Sequence, residues 1–266
     1  MYDGIPVPGK PGGRPLGPRH QPVLDAIVNG DARNMEFIND GVASLVVTSP
    51  PYNVGKEYDE NLSLDDYLDF LDEAWKECYR ILGPGGRLCI NITGVGRKPY
   101  IPLPALVTTR VLETGFFMRG EIIWNKGASV GSSTAWGSWC SPSNPVLRDV
   151  HEHVMVFSKD SMTLEKGDRD PDITATEFME CTKSVWNFRT ENASSIGHPA
   201  PFPIELPSRL IKLYTYPGDI VVDPFCGSGT TCLAAKIAGR HYIGVDVNGE
   251  YCELARKRLA HKTFGW

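Results

Sequence analysis

Two short stretches of the sequence combine residue types that could do chemistry together. The first is Thr-Ser-Pro-Pro-Tyr at residues 48–52, directly after an apolar run. Its prolines fix φ and carry no backbone N–H, so they predict a rigid corner at the end of a strand. The carbonyl oxygens of Ser49 and Pro50 cannot join a helix and stay available as acceptors, and Tyr52 adds a flat aromatic face. Such a corner could hold a planar group that carries N–H bonds.

The exocyclic amine of a nucleobase is a group that this corner suits. Its nitrogen shares a lone pair with the ring and is a poor nucleophile. Acceptors directed at both N–H bonds would favour a pyramidal nitrogen, and fixed dipoles act where charge develops in a reaction. A stacked tyrosine contributes about 1–3 kcal/mol, and the base must first leave the double helix because its target atom is otherwise inaccessible. The plain alternative is a proline-rich strand exit with a packed tyrosine.

The second stretch is Val-Val-Asp-Pro-Phe-Cys-Gly-Ser-Gly-Thr-Thr at residues 221–231. It predicts a strand, a glycine loop and a helix, in that order. Gly227 and Gly229 would let the backbone turn tightly and approach a ligand, and the helix offers unpaired N–H groups. Asp246 ends the next predicted strand, where an acid commonly accepts hydrogen bonds from ribose hydroxyls. The stretch therefore fits a ligand such as NAD or S-adenosylmethionine.

The spacing of the glycines helps to separate these ligands. A dinucleotide-binding fingerprint has the pattern G-x-G-x-x-G, whereas the third position here is Cys232. No Walker-type G-x-x-x-x-G-K-[ST] pattern occurs in the sequence. Taken alone, the loop fits either a nucleoside-containing ligand or an ordinary tight turn between a strand and a helix.

Apolar runs alternate with helical patterns along the chain, which is typical of a mostly parallel sheet covered by helices on both faces. The predicted fold class is therefore α/β, with a Rossmann-like, doubly wound sheet of seven strands. The predicted strands are Ala26–Asn29, Ser44–Thr48, Arg87–Ile92, Glu121–Trp124, His153–Phe157, Asp219–Asp223 and His241–Val245. The predicted helices are Leu64–Leu82, Pro104–Thr114, Pro203–Tyr214, Thr230–Ala238 and Glu250–His261.

The composition is compatible with one α/β domain and a small insertion. The chain has 266 residues, of which 41% are hydrophobic, and no apolar run reaches the roughly 18 residues of a membrane span. Residues 1–22 are rich in glycine and proline and predict an extended arm. The net charge of −5 argues mildly against a nucleic-acid partner, which usually leaves a basic footprint on the protein.

The cysteines and histidines predict neither a disulfide framework nor a metal site. Seven cysteines without a CxxC pair indicate free thiols in a reducing cytoplasm. His151 and His153 form an H-x-H pair without an obvious third ligand.

The two stretches resemble the motifs of the amino-methylating DNA methyltransferases, which modify N4 of cytosine or N6 of adenine. Residues 48–53 look like the catalytic motif of that family, and residues 223–231 look like its cofactor motif. The resemblance covers most of the chain from about residue 29 onward. It implies a circularly permuted class I methyltransferase domain, S-adenosylmethionine as cofactor, and double-stranded DNA whose target base is flipped out.

The resemblance also implies roles for residues at matching motif positions. Ser49, Pro50, Pro51 and Tyr52 would hold and activate the amine. Residues 198–203 and Glu205 look like the motif that caps the methionine end of the cofactor, and Asp31 looks like the strand tip that contacts its adenine. The expected cofactor-binding residues are Asp31, Phe202, Pro203, Glu205, Asp223, Pro224, Phe225, Gly227, Ser228, Gly229, Thr230, Thr231 and Asp246.

The order of the motifs is similar to that of the beta group of this family, in which the target-recognition region lies between the catalytic and cofactor motifs. The resemblance then implies a catalytic half at residues 23–158, with a further DNA contact at residues 127–149. Target recognition would fall on residues 159–197, and the cofactor-binding half on residues 198–266.

The residue at position 49 bears on the target base. Within the family, Ser-Pro-Pro-Tyr leans toward N4 of cytosine and Asp-Pro-Pro-Tyr toward N6 of adenine. The expected reaction is therefore methylation of cytosine N4, with adenine N6 as the alternative and a catalytically silent nucleic-acid-binding module as a more remote one. No membrane partner is expected, and the sequence leaves open a homodimer and a cognate restriction endonuclease.

Overall fold

The computed structural model describes residues 23–52, 62–96, 99–127, 137–190 and 202–260. Its strands are β1 (Ala26–Asn29), β2 (Ala43–Thr48), β3 (Leu82–Ile92), β4 (Phe117–Asn125), β5 (His151–Ser158), β6 (Val185–Asn187), β7 (Ile220–Asp223) and β8 (His241–Asp246). Its helices are α1 (Leu64–Ile81), α2 (Leu103–Glu113), α3 (Ala175–Cys181), α4 (Glu205–Tyr214), α5 (Thr230–Ile237) and α6 (Gly249–Ala260). No helix within these ranges combines the length and apolar character that crossing a bilayer requires.

The eight strands form one sheet in the order β1-β8-β7-β2-β3-β5-β4-β6. All neighbours are parallel except the two pairs that involve β5, which runs antiparallel to β3 and β4. The prediction of a mostly parallel α/β sheet is confirmed. The predicted number of seven strands is wrong, because β6 extends the sheet beside β4. Only Trp186 of the three β6 residues is buried, and so short a strand carries no alternating pattern.

Helix α3 likewise has no counterpart among the predicted helices. Cys181 is its only buried residue, so no apolar stripe marks it in the sequence. Its start does carry a sequence signal, because the side chains of Thr174 and Glu177 form a capping box. The other predicted helices and strands are present and differ from the structure only at their ends.

Helices cover both faces of the sheet. Helices α1 and α2 pack on one face, and α4, α5 and α6 pack on the other, which we call the α4 face. Successive residues of a strand point to opposite faces. Accordingly, Val46 of β2 lies in the core under α1 and α2, whereas Leu45 and Val47 lie in the core under the α4 face.

The seven strands that share one direction end at the same edge of the sheet, which we call the carboxyl edge. The loops after β2, β7 and β8 leave this edge side by side because these strands are neighbours. Ligands of open α/β sheets bind at this edge. The connection from β4 to β5 starts and ends at this edge, where a hydrogen bond of 2.9 Å joins the Lys126 N–H to the Val150 carbonyl.

The segment after β5 first follows the opposite edge. Arg169 forms an ion pair with Asp219, just before β7. Asp172 lies 2.6 Å from the fully buried guanidinium of Arg240, just before β8, and this contact lowers the pKa of Asp172 to about 2. The chain returns to the carboxyl edge only through β6. Of the expected target-recognition region 159–197, Arg169 and Asp172 are thus bound to the opposite edge, and residues 191–197 lie outside the described residues.

We predict that Gly244→Ala destabilises the fold, because a Cβ at this position of β8 would lie 2.6 Å from Ile27 Cδ1 and 2.8 Å from Cys232 Sγ. Overpacking of this kind costs about 1–3 kcal/mol. Urea unfolding followed by circular dichroism measures the effect. Gly120→Ala is the matched control, since a Cβ there meets nothing within 4 Å. Equal stability of the two variants would contradict the tight packing of β8.

Candidate active site

One buried hydrogen bond joins the two stretches that the sequence singles out. Thr48 ends β2 and Asp223 ends β7, and the Thr48 hydroxyl donates to Oδ1 of Asp223 over 2.8 Å. Both residues are almost completely buried, with 0% and 1% exposure. The Ser-Pro-Pro-Tyr corner and the glycine loop therefore begin side by side on neighbouring parallel strands, although 175 residues separate them in the sequence.

Asp223 is a buried carboxyl group whose donors within the described residues are neutral. Besides the Thr48 hydroxyl, the Phe225 N–H donates to its Oδ1 over 3.2 Å, and the Thr231 hydroxyl lies beside it. Burial outweighs these bonds and raises the pKa of Asp223 to about 6. No ion pair to Asp223 occurs within the described ranges. A cationic group of a ligand would stabilise its ionised form.

The glycine loop adopts the geometry that its sequence predicts. Gly227 and Gly229 have φ of 47° and 78°, a region that L side chains rarely adopt. Gly229 caps the start of α5, and a Cβ there would lie 2.9 Å from the Cβ of Ala255 on α6. The loop thus turns tightly into a helix that packs closely against its neighbour.

Asp246, at the end of β8, supports the same loop. Its Oδ2 accepts from the Gly227 N–H over 2.8 Å and its Oδ1 accepts from the Asn248 N–H over 2.9 Å. Burial is the largest effect on the pKa of Asp246 and raises it. The carboxylates of Asp223 and Asp246 thus stand at adjacent strand ends on either side of the loop.

Aromatic rings line the side of the loop that faces α1. The Phe225 ring lies 6.1 Å from the ring of Phe70 and 6.4 Å, edge to face, from that of Trp75. The guanidinium of Arg33 lies 5.2 Å above the Phe70 ring. This cluster fixes Phe225 as an apolar wall beside the two carboxylates.

The Ser-Pro-Pro-Tyr corner is held by α1. The buried Tyr67 donates its hydroxyl hydrogen to the Pro51 carbonyl over 2.7 Å. Within the corner, Ser49 Oγ lies 3.3 Å from the Tyr52 hydroxyl. The side chains of Ser49 and Tyr52 are half-buried and Pro50 is buried. The corner therefore presents its acceptors from a fixed backbone.

The remaining predicted residues differ in how they are placed. Asp31 follows β1 and gives both carboxylate oxygens to the Arg33 side chain, which lowers the Asp31 pKa. Glu205 starts α4 and pairs with Arg209 over 2.8 Å. Both acids lie at the carboxyl edge, but each already has a cationic partner.

The other predicted residues of this stretch are also buried, namely Pro224, Ser228, Thr230 and Thr231, and two of them are bonded to α6. Arg258 donates to the Ser228 carbonyl over 2.6 Å, to its hydroxyl over 2.8 Å and to Thr230 Oγ1 over 3.3 Å. Pro224 is buried, and Thr231 donates to the Val47 carbonyl over 3.3 Å. Phe202 packs against the core under the α4 face and Pro203 is buried, just before α4, whereas residues 198–201 lie outside the described residues.

The histidine pair has partners other than a metal. His153 Nδ1 lies 2.7 Å from Glu121 Oε1, and the rings of His151 and His153 meet edge to face at 4.9 Å. The described ranges contain no group of three or more potential metal ligands arranged around one point.

The sequence motifs miss a polar cluster that adjoins the corner. It consists of Asn91 on β3, Glu152 on β5 and Lys126 directly after β4, joined by contacts of 2.5 Å and 2.8 Å. Asn91 stands two residues after the buried Cys89, where the strand pattern demands an apolar residue. A polar residue at an inward-facing strand position is the signal by which the sequence could have revealed this cluster.

We predict that Asp223 makes folding stability depend on pH. Its pKa is raised in the folded protein, so protonation favours the folded state, and this contribution is lost as the pH rises from about 4 to about 6. Asp223→Asn removes the titration. Its free energy of unfolding, measured in urea without ligand, should therefore rise relative to the wild type by about 2 kcal/mol between pH 4 and pH 7. Parallel pH profiles of the two proteins would contradict the prediction.

Known proteins share this architecture. The model of the N6/N4 methyltransferase family, described as DNA methylase, matches residues 43–257. M.ScaI, a type II methyltransferase of Streptomyces caespitosus, is 30% identical over 243 residues, which cover 82% of this chain and 75% of M.ScaI. The DNA adenine methyltransferase YhdJ of Escherichia coli K12 is 30% identical over 250 residues, with coverage of 88% and 82%.

A solved structure agrees over nearly the whole chain. TTHA0409 of Thermus thermophilus, assigned as a DNA modification methylase and solved in complex with S-adenosyl-L-methionine, gives a TM-score of 0.70 at 29% identity. The match covers 91% of this chain and 95% of TTHA0409. Together with the family match over residues 43–257, these similarities show that the chain belongs to the amino-methylating DNA methyltransferases, which act on N4 of cytosine or N6 of adenine.

Proposed function

We propose that this protein transfers a methyl group from S-adenosylmethionine to N4 of a cytosine flipped out of duplex DNA. The observation that carries the proposal is the hydrogen bond between Thr48 and Asp223. This bond holds two parts side by side. One is the corner, whose acceptors suit an amine, and the other is the glycine loop, which suits a nucleoside-containing cofactor. Bringing two reactants together in a fixed geometry is itself a large contribution to catalysis.

The residues of the glycine loop fit the cofactor. When bound, S-adenosylmethionine supplies a methyl group activated by a positively charged sulfur. Asp223 offers a buried carboxyl group without an ion pair in the described ranges, and Asp246 offers a carboxylate at the next strand end. In the proposal Asp246 accepts hydrogen bonds from the ribose, Asp223 faces the cationic part of the cofactor, and Phe225 lines the apolar side of its pocket.

Phe202 and Glu205, which flank the start of α4, complete the proposed cofactor pocket. Both lie at the carboxyl edge, where α4 begins its course across the sheet. Glu205 is half-exposed and its partner Arg209 lies on the same helix, so its carboxylate can turn toward an ammonium group. Asp31 is assigned to the adenine end, because the Gly30 N–H bonds the Asp246 carbonyl over 3.0 Å and places the β1 exit beside β8.

The corner would bind the target base and activate its amine. Ser49 Oγ and the Pro50 carbonyl accept from the amine N–H bonds, and Tyr52 stacks on the base. Both acceptors belong to a backbone that Tyr67 holds through Pro51, so little reorganisation accompanies the reaction. After methyl transfer, the methylated nitrogen loses a proton to solvent or to an acceptor of this corner.

The choice of N4 over N6 depends on Ser49. Within the family a serine at this position leans toward cytosine, and that supports the proposal. The relative YhdJ acts on adenine, so methylation of adenine N6 is the second candidate. A cognate restriction endonuclease is a partner to look for, since M.ScaI is a type II enzyme.

The DNA would approach the carboxyl edge. Two connections begin there, one after Asn125 of β4 and one after Asn187 of β6. The first carries Trp139, which is 72% exposed, and Leu147, which is 88% exposed. We therefore assign target recognition to these two connections. Residues 159–172 contact the opposite edge through Lys159, Arg169 and Asp172 and are assigned a structural role.

Ser49→Ala tests the corner. We expect it to lower turnover by about 100-fold, the usual effect of removing one preorganised hydrogen-bonding group, while the affinity for S-adenosylmethionine stays within twofold. Transfer of a radioactive methyl group to DNA and calorimetric titration of the cofactor measure the two quantities. Ser44→Ala, on the same strand but away from the carboxyl edge, is the control. Wild-type turnover in the Ser49 variant would refute its role.

The identity of the methylated base can be read directly. DNA from cells that express the protein is digested to nucleosides, and the masses of these nucleosides are measured by mass spectrometry. Sequencing maps the modified positions. We expect N4-methylcytosine at one short site. N6-methyladenine would replace the proposal by its second candidate, and unmodified DNA in cells that contain the folded protein would refute both.

A further inference from the structure

The cluster of Asn91, Glu152 and Lys126 continues the carboxyl edge directly beside the Ser-Pro-Pro-Tyr corner. The last aligned pair of β2 and β3 is Thr48 with Ile90. Ser49 and Asn91 are the next residues of these neighbouring strands, about 5 Å apart across the sheet. Asn91 points to the α4 face, because it follows the Cys89 side chain of that face by two positions.

The Asn91 side chain has a fixed orientation. Its Nδ2 donates to Oε2 of Glu152 over 2.5 Å, and Oε1 of the same carboxylate lies 2.8 Å from Lys126 Nζ. The Lys126 and Glu152 side chains are only 16% and 15% exposed. A carboxylate accepts hydrogen bonds and does not donate them, so the amide nitrogen of Asn91 must face Glu152 and the amide oxygen must face elsewhere.

The amide oxygen of Asn91 is an unused acceptor. Asn91 is 2% exposed, and its Oδ1 is shielded from solvent and has no hydrogen-bond partner among the described residues. A buried polar atom without a partner costs about 1–3 kcal/mol, and in a native structure it calls for an explanation. A ligand with an N–H group that enters this edge would satisfy it, once the side chains that shield it move apart.

We propose that Asn91 is a substrate-binding residue whose amide oxygen accepts a hydrogen bond from the exocyclic amine of the flipped base. The amine has two diverging N–H bonds. In this arrangement Ser49 Oγ and the Pro50 carbonyl share one of them, and the Asn91 amide oxygen on the adjacent strand accepts from the other. Glu152 and Lys126 act as positioning residues that keep the amide oxygen toward the base. This inference rests on the proposed function and adds a second strand to the base-binding site.

The test compares two duplexes that carry a mapped methylation site. One has the natural target base, and in the other its amine is replaced by hydrogen, as 2-pyrimidinone in place of cytosine or purine in place of adenine. Fluorescence anisotropy with S-adenosylhomocysteine present gives the preference for the amine-bearing duplex. We expect Asn91→Ala to reduce this preference by about fivefold relative to the wild type, the effect of one lost hydrogen bond.

Matched variants separate a contact from a structural effect. Asn125→Ala removes an asparagine at the carboxyl end of β4 whose amide is bound to Asn187, and it should keep the wild-type preference. Glu152→Gln retains an acceptor for the Asn91 amide, whereas Glu152→Ala removes it. Of the two Glu152 variants, only Glu152→Ala should lose the preference for the amine-bearing duplex, as Asn91→Ala does. Glu152→Ala tests the orientation of the Asn91 amide while Asn91 itself is unchanged.

The outcomes distinguish this inference from the proposed function. An unchanged preference in Asn91→Ala or in Glu152→Ala overturns the role of Asn91, even where the wild type methylates DNA and prefers the amine. A wild type that binds both duplexes equally overturns the amine contact altogether. Absence of methyl transfer by the wild type overturns the proposed function, independently of the binding comparison.

Discussion

The constraint on which the site depends is the burial of the Asp223 carboxyl group between two strands. A carboxylate removed from water is costly unless donors surround it, and here the Thr48 hydroxyl and the Phe225 N–H both donate to it. Thr231 of α5 lies beside the same carboxyl group and donates its hydroxyl hydrogen to the Val47 carbonyl of β2. The loop that turns into α5 is therefore tied to the strand that carries Ser49. Any displacement of one stretch relative to the other would leave a buried oxygen without its donors.

The rest of the fold is arranged around this junction. Parallel neighbours bring the ends of β2, β7 and β8 to one edge, and α1 supports both stretches, since Tyr67 holds Pro51 while Trp75 contacts Phe225. The opposite edge is held together by charge. Arg240 is buried there and is neutralised by Asp172 from the segment between β5 and α3. The loops of the candidate site thus lie at the carboxyl edge, and ion pairs stabilise the opposite edge.

Much of the fold and site follows from the sequence because their signals are local. The alternation of apolar runs predicts the strands, and glycines and prolines at fixed positions predict the turns around Ser49 and Gly227. The short strand β6 and helix α3 bury one residue each and escape detection because neither has room for a periodic pattern. The cluster of Asn91, Glu152 and Lys126 also escapes, because its members lie on β3, on β5 and directly after β4, and only the tertiary fold brings them together. The path of residues 159–172 along the opposite edge depends on ion pairs between residues distant in sequence, such as Arg169 with Asp219.

The hydrogen bond between Lys126 and Val150 has an evolutionary consequence. It holds the two ends of the β4–β5 connection together, so the residues between these ends can be exchanged or their number increased while the strands keep their register. Adding residues to a loop whose ends are already held together costs little, because closure entropy grows only slowly with length. With target recognition assigned to this connection as proposed, relatives could acquire new DNA sequence preferences by replacing this one segment while the catalytic residues stay unchanged.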